Sequence, residues 1–240
     1  MHLLRAWLPA RPFLLERLQL YLGLSRMTPN APLRIALRWI APLAILALGG
    51  CSLFNRSSAA QAQFLLSVPP PAVVADRAPS ANGIEVSRVT AVAPFDALGF
   101  VYAQADGSWR TDNYAGWIAA PSSMLTTAFV GFLSESKQFS CVTGQGAAVA
   151  APCKVSLVLE RFCGNYSNAA SPHAEVQLRW YLVGDGATSA ALLGSGVAVG
   201  TAPISAATPG AVADSLGAAS AVAFGEILAQ LSGNPAVRSK

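Results

Sequence analysis

Glu175-Val176-Gln177-Leu178-Arg179-Trp180-Tyr181-Leu182 places an apolar side chain at every second position and a polar or amphipathic one between. Side chains on a strand alternate between its two faces, so this stretch has one greasy face and one wet face. That pattern predicts a strand in a one-sided sheet with an antiparallel neighbour. Upstream, Val155, Leu157 and Leu159 alternate with Ser156, Val158 and Glu160 in a second strand, and downstream Gly194 to Thr201 is a weaker strand of small residues. Further upstream, Ile84 to Val89 follows the Asn82-Gly83 turn signal. Phe100-Val101-Tyr102-Ala103 and Ser108-Trp109-Arg110-Thr111 flank Ala105-Asp106-Gly107, a hairpin whose Asp106-Gly107 turn takes the positive backbone angles. Phe64 to Val68 is a short strand-like run that Pro69-Pro70-Pro71 stops.

Two helices complete the set. Pro121 suits a first helical turn, and Met124, Leu125, Ala128, Phe129, Phe132 and Leu133 recur at helical spacing to about Ser136. Thr208 caps a longer helix that Pro209 opens, with Val212, Leu216, Ala219, Ala223 and Ile227 on one stripe and Gly233 as its stop. Its alanines permit close approach to a sheet. The order is roughly β-β-β-α-β-β-β-α. The expected fold is therefore a single α/β or α+β domain, a mixed and mainly antiparallel sheet with two main helices packed on it.

Charge is unevenly distributed. Of the 16 lysines and arginines, six precede Cys51, together with only one of the 12 acids. From Cys51 onward ten basic groups face eleven acidic ones, so the body is nearly neutral. It carries no cationic stripe for a phosphate backbone, which excludes nucleic acid as the expected partner. The basic residues precede an apolar stretch of ten residues, Trp39 to Leu48, too short to span a bilayer and suited to a signal-peptide core. Leu48-Gly49-Gly50-Cys51 follows. A cysteine behind two small residues resembles the lipobox of bacterial lipoproteins, in which Cys51 would carry covalent lipid and begin the mature chain. A second plausible start stands at Met27. The expected organisation is a signal-peptide region at 1–50, a lipidated N-terminus and tether with a short strand at 51–83, an α/β domain at 84–233 and a tail at 234–240.

Three further cysteines remain. Cys141 and Cys153 bracket a Gly/Ala-rich loop of 11 residues, which makes Cys141–Cys153 the preferred disulfide, with Cys141–Cys163 open as an alternative. Cys153 and Cys163 stand ten residues apart on one extended strand and cannot meet. Beyond Cys51 the sole histidine is His173, beside Pro172 in an expected loop, too isolated to serve a nucleophile. Neither a Gly-x-Ser-x-Gly elbow nor a phosphate loop is present. The expectation is a protein that is not an enzyme and holds no cofactor or metal, its only prosthetic group being the lipid on Cys51.

The lipobox, Phe64-Leu65-Leu66 ahead of prolines, Val101-Tyr102, Tyr114 and Trp117 ahead of Pro121, Met124-Leu125 and Leu133-x-x-Ser136-x-x-Phe139 resemble, in order and spacing, the ABC-type transport auxiliary lipoprotein family. Arg161-Phe162 at a strand end and the alanine-rich last helix extend the likeness over roughly residues 48–231. Gly116 and Ala120 depart from the charged pair that the family usually carries around the tryptophan and proline. The resemblance implies an accessory subunit of an Mce-type ABC system that moves lipids between inner and outer membranes. Its expected partners are a membrane, through the lipid anchor, an Mce-domain periplasmic protein and the ABC permease and ATPase; a homo-oligomeric ring is compatible with it. Ser52 after the cysteine implies the periplasmic face of the outer membrane. Tyr114 and Trp117, in an expected loop before the first helix, are the candidate partner-binding residues. The alternatives are a structural lipoprotein for outer-membrane assembly or secretion and a lipid-anchored hydrolase dependent on His173.

Overall fold

The computed structural model describes residues 61–72, 82–147, 151–184 and 191–238. Cys51 lies outside them, as do the signal-peptide region and most of the tether. Among these residues nine strands form one mixed sheet: β1 (Ala62–Phe64), β2 (Ile84–Val86), β3 (Thr90–Ala91), β4 (Gly99–Ala103), β5 (Trp109–Trp117), β6 (Val142–Gly144), β7 (Cys153–Asn165), β8 (His173–Gly184) and β9 (Ala191–Pro203). Two helices among the described residues, α1 (Pro121–Glu135) and α2 (Pro209–Gly233), pack on it. The long pairings are antiparallel, β7 with β8 and β8 with β9. On its other side β7 takes three short parallel partners along its length, β2, β3 and β4. Beyond β2 lies β6, and beyond β4 lie β5 and then β1.

The expected period decides which residues are buried. Val155, Leu157 and Leu159 of β7 and Val176, Leu178, Trp180 and Leu182 of β8 face the helices. A register shift between Leu159 and Arg161 inserts one residue, so that Phe162 rather than Arg161 turns inward. The opposite face is polar and its ions are paired: Arg179 Nε lies 2.5 Å from Glu160, Arg161 Nη1 2.9 Å from Glu175 and Lys154 Nζ 2.8 Å from Glu85. Phe224 joins the two helices, its ring centre 4.8 Å from that of Phe129 and 5.5 Å from that of Phe132.

Local chemistry sets the boundaries. Thr208 Oγ1 accepts the Ala211 N–H at 3.3 Å, and α2 opens on Pro209. Ala120 offers α1 no capping side chain, and Asp96 Oδ1 takes that role by accepting the Ser122 N–H at 3.0 Å. Gly107 adopts φ 79° in the β4–β5 turn, where Asp106 Oδ1 accepts the Ser108 N–H at 2.9 Å.

Two glycines permit close approaches. A Cβ on Gly200 would stand 1.8 Å from the Ala219 carbonyl oxygen, so β9 and α2 meet backbone to backbone. A Cβ on Gly217 would stand 1.9 Å from the Ser67 carbonyl oxygen, where residues 65–72 cross the helices as an extended strap. The run Phe64 to Val68 is accordingly strand only through Phe64. β1 pairs in parallel with β5, so the sheet of the domain expected at 84–233 also includes residues Ala62–Phe64 ahead of the Asn82-Gly83 turn.

Strand β9 ends the sheet, and α2 covers its outer edge. Asn234 Nδ2 donates to the Leu193 carbonyl at 3.1 Å, Glu226 Oε2 accepts the Val199 N–H at 3.1 Å and Ser215 Oγ donates to the Pro203 carbonyl at 2.9 Å. The Val199 and Pro203 groups, four residues apart, point away from β8, and Leu193 is the extra residue at the β8–β9 register shift.

Candidate docking surface

The segment carrying Tyr114 and Trp117 is strand, not loop: both belong to β5. Asp112 shapes it, its Oδ1 accepting the N–H groups of Tyr114 at 2.8 Å and Ala115 at 3.0 Å, its Oδ2 accepting the Tyr102 hydroxyl at 3.2 Å. Burial first, then the Asp112 charge, raises the Tyr102 phenol above its ordinary range. From Tyr114 the side chains alternate strictly. Ala115 and Trp117 turn into the core, while Tyr114 and Ile118 turn out.

This alternation corrects the expectation for Trp117. Its indole is 2% exposed, with its ring centre 4.6 Å from Phe100 and 5.3 Å from Phe162. It closes the core beneath β4, β5 and β7 and offers no surface to a partner. Tyr114 is 68% exposed and keeps its place as a candidate.

The parallel register sets further residues beside it. Phe64 is opposite Trp117, and the Ile118 N–H donates to the Phe64 carbonyl at 2.9 Å, which brings Leu65 beside Ile118. The Trp117 N–H donates to Leu98, whose side chain is 52% exposed; Leu65 and Ile118 are 73% and 60% exposed. Leu65 and Ile118 stand side by side, Tyr114 lies further along the same face of β5 with the exposed Gln63 in register between, and Leu98 is joined to this region through Trp117; these four large exposed side chains are uncharged and lie near where the chain enters the fold. Isolated surface leucines need no explanation; a cluster does. Sequence reasoning missed three of the four. The available signal was the alternation Tyr114-Ala115-Gly116-Trp117-Ile118, masked by glycine and by the acid and amide just before it.

At Leu65 the patch runs into a groove of about 510 Å³ between the strap and α1. Leu66, Pro69, Ala119, Met124, Ala128 and Phe132 line it, with Glu135 as its one ionisable residue. Ser123, Thr127 and Gly131, one helical turn apart, keep the α1 wall low.

The remaining sequence candidates stand apart. His173 begins β8 instead of lying in a loop, and its Nδ1 is 3.1 Å from the Ser171 carbonyl. Among the described residues no three His, Cys, Asp or Glu side chains come together as a metal site. Cys141, Cys153 and Cys163 are all free. The expected Cys141–Cys153 disulfide is absent for a topological reason. Strand β2 lies between β6 and the start of β7, with Ile84 paired to both Val142 and Cys153, and the Ile84 N–H donating to the Cys141 carbonyl at 2.9 Å. Two strand spacings amount to roughly 9.5 Å, beyond the 7 Å or so that a disulfide tolerates between Cα atoms. Cys153 and Cys163 both lie on β7, too far apart along it to join. Burial pushes the Cys163 thiol up to about 12 and raises that of Cys153.

A family model for the ABC-type transport auxiliary lipoprotein component matches residues 64–230. Among solved structures, the crystal structure of protein XCC0632 from Xanthomonas campestris, of family DUF330, superposes with a TM-score of 0.61 at 18% identity, covering 70% of this chain and 94% of that one. A second crystal structure, of an uncharacterised protein, reaches a TM-score of 0.56 at 13% identity, covering 72% of this chain and 99% of that one. Identities this low carry the fold and nothing more. Comparison with curated proteins found no match.

Proposed function

The chain belongs to the ABC-type transport auxiliary lipoprotein family, and we propose that it serves as the lipid-anchored accessory subunit of an Mce-type system moving lipids between the inner and outer membranes. In this reading Cys51 carries the lipid and holds the α/β domain on the periplasmic face of the outer membrane. The domain then docks a periplasmic Mce-domain protein belonging to an ABC permease and ATPase. One observation carries the proposal: a match to the auxiliary lipoprotein model beginning at residue 64, shortly after a Leu-Gly-Gly-Cys sequence ending at Cys51. The near-neutral body, with its paired surface ions, suits a partner recognised by shape and apolar contact. A sheet with helices on one face leaves strands and loops free to meet such a partner.

The test combines labelling with co-purification. Radiolabelled palmitate should enter the full chain in its native host and be lost in Cys51→Ala, and the labelled protein should sediment with outer membranes. Affinity purification from solubilised membranes should recover an Mce-domain protein together with its permease. Label incorporation without those partners would sink the transport role and leave the anchor; absence of label would sink both.

A further inference from the structure

We infer that the patch formed by Leu65, Leu98, Tyr114 and Ile118 is a bilayer contact, through which the domain lies against the lipid surface that anchors it. The inference rests on the proposed acylation of Cys51. Four observations lead to it. The four large side chains of the patch are uncharged, with exposures from 52% for Leu98 to 73% for Leu65, and Gln63 is an exposed polar residue in register between the Tyr114 and Ile118 positions. The patch adjoins the end of β1, the first strand among the described residues, and among those residues Leu65 is the exposed large apolar side chain nearest in sequence to Cys51. Only ten residues lie between Cys51 and Ala62, a reach of at most about 40 Å when fully extended. Finally, no charge occurs between Gln61 and Ala72, so the strip leading into the patch has nothing that resists the headgroup region.

The tether makes this contact intramolecular. An anchored domain meets the bilayer at a high effective concentration, and a patch too small to bind vesicles alone can then stay seated. Tyr114 adds an aromatic ring with a polar tip, the side-chain type suited to the membrane–water boundary. The groove beside the strap opens from Leu65 and would lie next to the lipid surface.

A probe between these residues decides the matter. Gln63 is exposed and sits opposite Gly116, in register between the Tyr114 and Ile118 positions. The full acylated chain is made as Cys141→Ser, which removes the one exposed free thiol among the described residues, and Gln63→Cys receives an environment-sensitive fluorophore. Leu192→Cys, on the opposite edge of the sheet, serves as the reference. Each is reconstituted into vesicles of phosphatidylethanolamine and phosphatidylglycerol. The expected result is a blue shift and about a twofold rise in emission at position 63, with quenching by spin-labelled lipid and no change at position 192. Adding Leu65→Ser and Ile118→Ser should abolish the shift while the chain still floats with the vesicles. If the chain floats but position 63 remains in water, the contact is refuted and the anchor stands. If position 63 responds only to raised protein concentration or to added Mce-domain protein, and lipid spin labels leave it unquenched, the occupant is protein and the inference fails. A chain that does not float refutes the anchor itself.

Discussion

Trp117 ties three neighbouring strands together, since its indole on β5 touches Phe100 of β4 and Phe162 of β7. Trp117→Ala should therefore cost about 3–5 kcal/mol in chemical denaturation, whereas Tyr114→Ala should stay within about 0.5 kcal/mol. The thiols give a second readout. With the native protein near neutral pH, an alkylating reagent followed by mass mapping should modify Cys141 alone, because Cys163 is fully buried and its thiol is pushed up to about 12. All three should react after unfolding without reductant, and a recovered Cys141–Cys153 bridge would contradict the β2 placement. Glu160 gives a pH signature. Its hydrogen bonds from Arg179, and then from Gln177, hold its carboxyl below the ordinary value of 4.5. The unfolded chain thus binds a proton at a higher pH than the folded one. The stabilisation is complete above 4.5 and vanishes as the pH falls through the lower folded value. The stability difference between the native sequence and Glu160→Gln should accordingly shrink between about pH 5 and pH 3 in melting curves.

Among the elements, the α2–β9 contact depends most sharply on one side chain being missing. Gly200→Ala would drive a methyl group into the Ala219 carbonyl, and Gly217→Ala would lift the strap at Ser67. Each should destabilise by about 1–3 kcal/mol, and only Gly217→Ala should expose residues 65–72 to proteolysis in a time course. Long periodic elements were legible in the sequence for a plain reason. In β7, β8, α1 and α2 the residues that define the period are the ones buried, so pattern and packing coincide. β6 was not legible: Val142-Thr143-Gly144 has little strand character, and pairing with β2 alone makes it strand. β5 was misread beyond Thr111 because Asp112, Asn113 and Gly116 are turn-like residues. Here Asp112 uses its carboxylate to bind two N–H groups of the strand itself. The disulfide expectation failed similarly, since closeness in sequence cannot reveal a third strand between two ends. Of the candidate surface only Tyr114 was legible, whereas Leu65 and Ile118 were invisible until the parallel β1–β5 register set them side by side, and Leu98 until its carbonyl met the Trp117 N–H.

For the molecule as a whole, the sides of the sheet are unequal. The β1 side is blunt and apolar beside the tether, while the β9 side is long, 13 residues without a charge. An edge of that length and composition would ordinarily recruit other strands. Here Ser215, Glu226 and Asn234 engage it from α2 and its C-terminal cap. Replacing all three with alanine should produce concentration-dependent oligomers or fibrils, detectable by light scattering, from a protein that otherwise remains dispersed. Confinement to a two-dimensional film multiplies encounters between neighbours far beyond those in free solution. If the proposed anchor holds the protein in such a film, its longest hydrogen-bonding margin is already engaged at three points by its own helix and cap, so packing density on the surface can rise with fewer open backbone groups to seed a fibre.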